Sequence, residues 1–173
     1  IGDAPLVPVD DYYGGAGVTY TDEGVVEEAT ATYVSDDGLC EIAVMPDYYD
    51  VTLYYENGSR YDVGAAYGRT IPQAMPEFES VMEPYLYDTI RMMYGGTYTP
   101  EAVEDRVLTL YDSMRDEFKE ELAGLAEAFS EGRHGFVEDG LFSYEEVIAL
   151  NMIPDALRPT ACSALTLWGA RTE

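Results

Sequence analysis

The alternation of apolar and polar residues changes period near residue 60, and that change divides the chain. From Glu28 to Val34 apolar and β-branched residues alternate with polar ones, Ser35-Asp36-Asp37-Gly38 has turn composition, and Leu39 to Met45 alternates again. A period of two with a Gly/Asp turn between the runs predicts a β-hairpin. A third strand is expected over Asp50 to Glu56, closed by Asn57-Gly58, a dipeptide suited to a turn with positive φ. Residues 1 to 24 are rich in Pro, Gly, Asp and Tyr without sustained periodicity, which reads as an extended lead-in.

Beyond Arg60 the period lengthens to about 3.6. Val63, Ala66 and Tyr67, then Phe78, Val81, Met82, Tyr85, Leu86, Thr89, Ile90 and Met93, suit helices interrupted or kinked at Pro72, Pro76 and Pro84, the run ending at Gly95-Gly96. Thr99 as N-cap with Pro100 in the first turn predicts a long helix to Glu131, with Val103, Val107, Leu110, Met114, Phe118, Leu122, Leu125 and Phe129 on one buried stripe and an acidic opposite face. Ser143 with Glu146 three residues on forms a capping box for a short helix through Met152, with Pro154 as its stop. Ala161 to Trp168 reads as a buried strand that turns at Gly169. No repeat of 20 to 50 residues is visible, which argues against a solenoid.

Charge narrows the function classes. Lys119 is the only lysine, and 34 acidic against 9 basic side chains give a formal net charge of -25. Nucleic acid, whose phosphates need Lys and Arg, is therefore not an expected partner. An apolar share of 47% is enough for a folded core, and the longest apolar stretches fall far short of the roughly 20 residues that span a bilayer, so no membrane span is expected. The chain opens on Ile1 rather than Met, which fits removal of a leader or a start inside a longer protein. The expected location is secreted or cell-surface. Asn57-Gly58-Ser59 is a glycosylation sequon, meaningful only in a eukaryotic secretory pathway.

Few residues offer chemistry. Asp139 to Glu146 imitates the second half of a calcium loop, with Gly140 at position six and Glu146 at position twelve, but Gly135 and Val137 occupy positions one and three, where oxygen ligands are required. The capping box is the better account. His134, the single histidine, lies between Gly132 and Gly135 and reads as a solvent-exposed loop residue. The adjacent acidic pairs Asp10-Asp11, Asp36-Asp37 and Glu145-Glu146 point to different sides and read as solvated charge. Cys40 fits either a buried thiol or a bridge to Cys162. Cys162, at a strand start after Arg158-Pro159-Thr160-Ala161, reads as a small buried hydrophobe or as a nucleophile. The second requires cleavage of the preceding peptide bond, because the freed α-amine, with a pKa near 8, can take the thiol proton.

Three stretches bear on that choice. Ser59 to Arg69, SRYDVGAAYGR, resembles the early glycine-bearing helix of the isopenicillin-N acyltransferase-like family of cysteine N-terminal-nucleophile hydrolases. Glu120 to Glu127, EELAGLAE, resembles that family's E-L-x-G-[IL]-A helix. Val147 to Asn151 followed by Ala161-Cys162-Ser163-Ala164-Leu165 resembles its helix ending in Asn before a Cys-[ST] nucleophile strand. Order and spacing agree over roughly residues 59 to 168, and acid ceramidase and phospholipase-B-like proteins are related enzymes with a long segment before the nucleophile.

The periodicity predicts an α+β chain, a mainly helical leading segment with an N-terminal β-hairpin region and a C-terminal strand; the resemblance, which does not reach residues 1–58, implies that it is part of an αββα N-terminal-nucleophile hydrolase fold. Its parts would be residues 1–58, an extended lead-in and hairpin region; 59–161, the helical α-chain-like segment; and 162–173, the first strand of the catalytic domain. The implied activity is cleavage of a non-peptide or small-peptide amide after autocatalytic cleavage between Ala161 and Cys162. Cys162 would be the nucleophile, with no cofactor or metal, a small-molecule amide as substrate and a downstream β-chain of the same precursor as partner. The family's G-R-N-x-D-W motif, which supplies an Arg and an Asp that assist the nucleophile, is not among residues 1–173, and Arg171 comes too soon to be that arginine. The chain alone is therefore expected to be inactive. The alternative is a noncatalytic secreted module whose acidic face binds cations or a partner.

Overall fold

A computed structural model describes residues 28–94 and 99–157. Its first elements follow from alternation: β1 (Ala31–Val34), β2 (Cys40–Val44) and β3 (Tyr49–Leu53) form an antiparallel meander in the order β1-β2-β3. Thr32 faces Ala43, and Ile42 faces Val51. Gly38 makes the first turn possible by taking φ 69°, where side-chain-bearing residues are strained. Ser35 Oγ accepts the amides of Leu39 and Cys40 at 3.1 and 3.0 Å, so the turn needs no water to satisfy them. Cys40 and Ile42 are fully buried and turn toward α1 (Arg60–Ala74).

Helix α1 begins with a complete capping box in which Ser59 Oγ accepts the Asp62 amide and Asp62 accepts the Ser59 amide. Pro72 lies inside α1 and Pro84 inside α2 (Phe78–Tyr94), while Pro76 falls in the linker. The remaining helices are α3 (Pro100–Ser113), α4 (Asp116–Ser130) and α5 (Tyr144–Leu157). The core gathers Ile42, Val63, Ala66, Ile71, Leu86, Ile90, Val103, Val107, Phe142 and Ile148. Phe78, Phe129 and Phe142 meet ring to ring at 5.7 to 6.1 Å where α2, α4 and the α4–α5 loop come together. Among the described residues no helix is long and apolar enough to cross a membrane.

The closest helix pair is α1 with α4, and three glycines set its spacing. A Cβ on Gly64 would lie 2.0 Å from the Glu121 carbonyl oxygen, and one on Gly124 would lie 2.1 Å from the Tyr61 carbonyl oxygen. On Gly68 it would lie 2.6 Å from the Leu125 carbonyl oxygen. The two backbones touch, so any side chain at these positions would push the helices apart.

Four expectations change. The stripe from Pro100 to Glu131 is two helices, because Met114 (ψ 156°) and Arg115 (ψ 141°) are both extended. This break resets the helical phase, and α3 packs on α5 while α4 packs on both α1 and α5. In consequence Phe118, expected to be buried, is 40% exposed, whereas Val107, Leu122, Leu125 and Phe129 are buried as expected. Helix α5 does not stop before Pro154 but continues to Leu157. Gly58 does not take a positive φ; a Cβ there would meet Leu39 Cδ1 at 2.8 Å, the mobile end of a side chain that can turn aside. The lead-in over residues 1–24 and the strand over Ala161 to Trp168 lie outside the described residues.

Candidate functional site

Described residues of the three stretches that carry the family resemblance, the third stretch through Asn151 alone, border one groove. It measures about 260 Å³ and is bordered by Gly64 and Tyr67 of α1, Leu122 and Leu125 of α4, and Asn151 and Met152 of α5. Leu53 of β3, with Met114 and Phe118 beside the helix break, completes an apolar wall. The glycine contacts bear on the position: they hold α1 against α4, and α4 also packs on α5.

One charge borders the groove, and it is already matched. Glu121 accepts the Tyr55 hydroxyl at 2.7 Å and the Arg60 guanidinium at 3.0 Å, and that guanidinium sits 4.2 Å from the Tyr55 ring centre. Burial and the Glu121 carboxylate beside it push the Tyr55 phenol up to about 12, so the hydroxyl remains a donor throughout the neutral range. Asn151 donates its side-chain amide to the Val147 carbonyl at 2.9 Å, which fixes it on the last turns of α5. The groove is thus apolar inside with a neutralised rim.

A second constellation was not anticipated. The α4–α5 loop is wrapped around four carboxylates. Glu146 accepts the amides of Val137 and Ser143 at 3.0 and 2.8 Å and also the Tyr87 hydroxyl. Glu145 accepts the Gly135 amide at 2.7 Å, Glu83 that of Gly140 at 2.8 Å, and Glu79 that of Phe142 at 2.8 Å while pairing with Arg133. Burial raises the Glu83 carboxyl above its ordinary range, aided by nearby Glu146, Asp139 and Glu138 and only partly countered by the Gly140 amide. For Glu145 burial also pushes upward, but the Gly135 amide and His134 outweigh it and the net direction is down.

This arrangement corrects the reading of Glu145-Glu146 as solvated charge: Glu146 is fully buried, because loop amides take the place of water around its oxygens. The capping box holds, with the Glu146 amide donating to Ser143 Oγ at 3.2 Å. Glu79, Glu83 and Tyr87 were missed although their spacing was available: three polar groups four apart on a helix otherwise apolar toward the core. Asp37 is also more than solvated charge, since it accepts the Ser35 hydroxyl and the Leu39 amide and pairs with Arg69 at 2.6 Å. Its carboxyl is held low because these bonds and Arg69 outweigh the upward push of burial.

His134 is exposed as expected, though paired with Glu145 at 3.1 Å. Cys40 is a buried free thiol, and burial raises its pKa, which makes it a poor nucleophile. Asp10-Asp11, Ala161 and Cys162 lie outside the described residues. Comparison with protein-family models, curated proteins and solved structures finds no match to this chain.

Proposed function

We propose that this chain is the leading segment of a cysteine N-terminal-nucleophile amidohydrolase or acyltransferase of the isopenicillin-N acyltransferase-like family, with Cys162 as nucleophile. The observation that carries the reading is that residues of three stretches, distant in sequence and each resembling part of a family motif, border one groove, the third through Asn151. Gly64 and Gly68 from the first stretch and Gly124 from the second are the residues that make the helix contact possible, which gives the glycines in both motifs a physical reason.

The chemistry follows from an N-terminal cysteine. Cleavage before Cys162 frees an α-amine that takes the thiol proton; the thiolate attacks the substrate carbonyl carbon, and the amine leaves with a proton returned to it. The thioester is then resolved by water, giving the acid, or by an amine, giving a new amide. The test is a small-amide turnover assay on the complete protein, comparing wild type with Cys162→Ala. Loss of turnover with the thermal transition retained is the expected result, and undiminished turnover in the alanine variant refutes Cys162 as nucleophile.

A further inference from the structure

We infer that the groove between α1, α4 and α5 receives the chain's own segment 161–168, bringing Cys162 onto the surface where the three stretches meet. The lining selects an uncharged, apolar occupant: Leu53, Phe118, Leu122, Leu125 and Met152 line it, and Glu121 is held by Tyr55 and Arg60. Phe118 remains 40% exposed there, with the Arg115 guanidinium 4.5 Å from its ring centre. Segment 161–168, ACSALTLW, carries no charge in a chain of net charge -25.

Connectivity favours this segment over the N-terminal one outside the described residues. Residues 1–27 contain Asp3, Asp10, Asp11, Asp22, Glu23 and Glu27 with no Lys or Arg, and they lead toward β1, which β2 separates from Leu53 on β3. Segment 161–168, by contrast, follows α5, which itself contributes Asn151 and Met152 to the wall. From Asn151 to Leu157 a helix advances about 9 Å at 1.5 Å per residue. Four further residues can return about 13 Å, enough to bring Ala161 back level with Asn151. Pro159 disfavours helical conformation at Arg158. The outer edge of β3 has no strand partner among the described residues, leaving backbone groups on which an added strand can pair.

The inference deepens the hydrolase reading by giving the nucleophile a place, yet it rests on the groove and the segment's composition and is tested without turnover. Trp168 is the only tryptophan, so its emission reports directly on the segment. In the 173-residue chain, emission characteristic of a buried indole is expected. Phe118→Glu, which places a charge in the groove beside Arg115 at an already exposed site, should shift it to the red with the far-ultraviolet circular dichroism unchanged. As a second measurement, Phe118→Cys should form a disulfide with Cys162 under mild oxidation, mapped by mass spectrometry. Tethering gives an effective concentration on the order of mM, so the rate should not depend on protein concentration, and Met92→Cys on exposed α2 should not compete. Water-exposed emission insensitive to Phe118→Glu, or no preference for the Phe118→Cys pairing, overturns the inference. A burial signal or disulfide that strengthens with protein concentration assigns the groove to a second copy and overturns it equally. Docking with turnover retained in Cys162→Ala would leave this inference standing and remove Cys162 as the nucleophile.

Discussion

At Gly64 and Gly124 single atoms decide how two helices meet. A methyl group at Gly64 would fall 2.0 Å from a backbone carbonyl that has no flexible side chain to give way. Gly64→Ala is therefore expected to cost about 1–3 kcal/mol or more in urea denaturation, as overpacking does; a change below about 0.5 kcal/mol would contradict the close approach. Leu125→Ala should cost about 2–5 kcal/mol, whereas Phe118→Ala, at a site 40% exposed, should cost well under 2 kcal/mol. Glu83 gives a prediction in pH. Its folded-state pKa is raised, so its relative stabilisation is present below the unfolded pKa and is lost as pH rises through the folded value. Glu83→Gln, which keeps an acceptor for Gly140, should gain stability relative to wild type on going from pH 4 to pH 7. A constant difference across that range would count against the raised value. Glu83 and Glu146 were not legible as buried, because the loop amides that donate to them come together only in the fold.

Among the elements, those set by local rules were legible. The hairpin, the third strand and the caps at Thr99 and Ser143 follow from alternation, turn residues and side-chain oxygens that act within three residues. The division of α3 from α4 did not show, because Met114 and Arg115 carry no Pro or Gly signal and the apolar spacing runs through them. The packing of α4 on α1 as well as α5, where α3 packs on α5, is tertiary and leaves no local signal at the break. For the cap at Ser143, which is buried, substitution by alanine should cost about 0.5–2 kcal/mol in the same denaturation experiment. No loss there would mean that the Glu146 contacts alone hold the start of α5.

Across the whole molecule the net charge of -25 sets an electrostatic background that the carboxylate-wrapped loop only partly relieves. Screening shortens repulsion to about 8 Å at physiological ionic strength, so the melting temperature should rise with sodium chloride, and a salt-independent melt would contradict this. At this scale the α+β class was legible, and so was the order of the three stretches; their meeting in one groove was not, since it depends on three glycines read only with the partner helix in place. The central claim is an N-terminal nucleophile made by cleavage before Cys162. Such cleavage needs the thiol held over the Ala161 carbonyl, a strained arrangement that persists only when surrounding structure enforces it, and the proposal assigns much of that structure to the downstream sheet. Intact-mass analysis decides the matter: the 173-residue chain should keep its Ala161-Cys162 bond, while the complete protein should separate into a fragment ending at Ala161 and one beginning at Cys162. A complete protein that turns over its amide with that bond uncut would contradict the account.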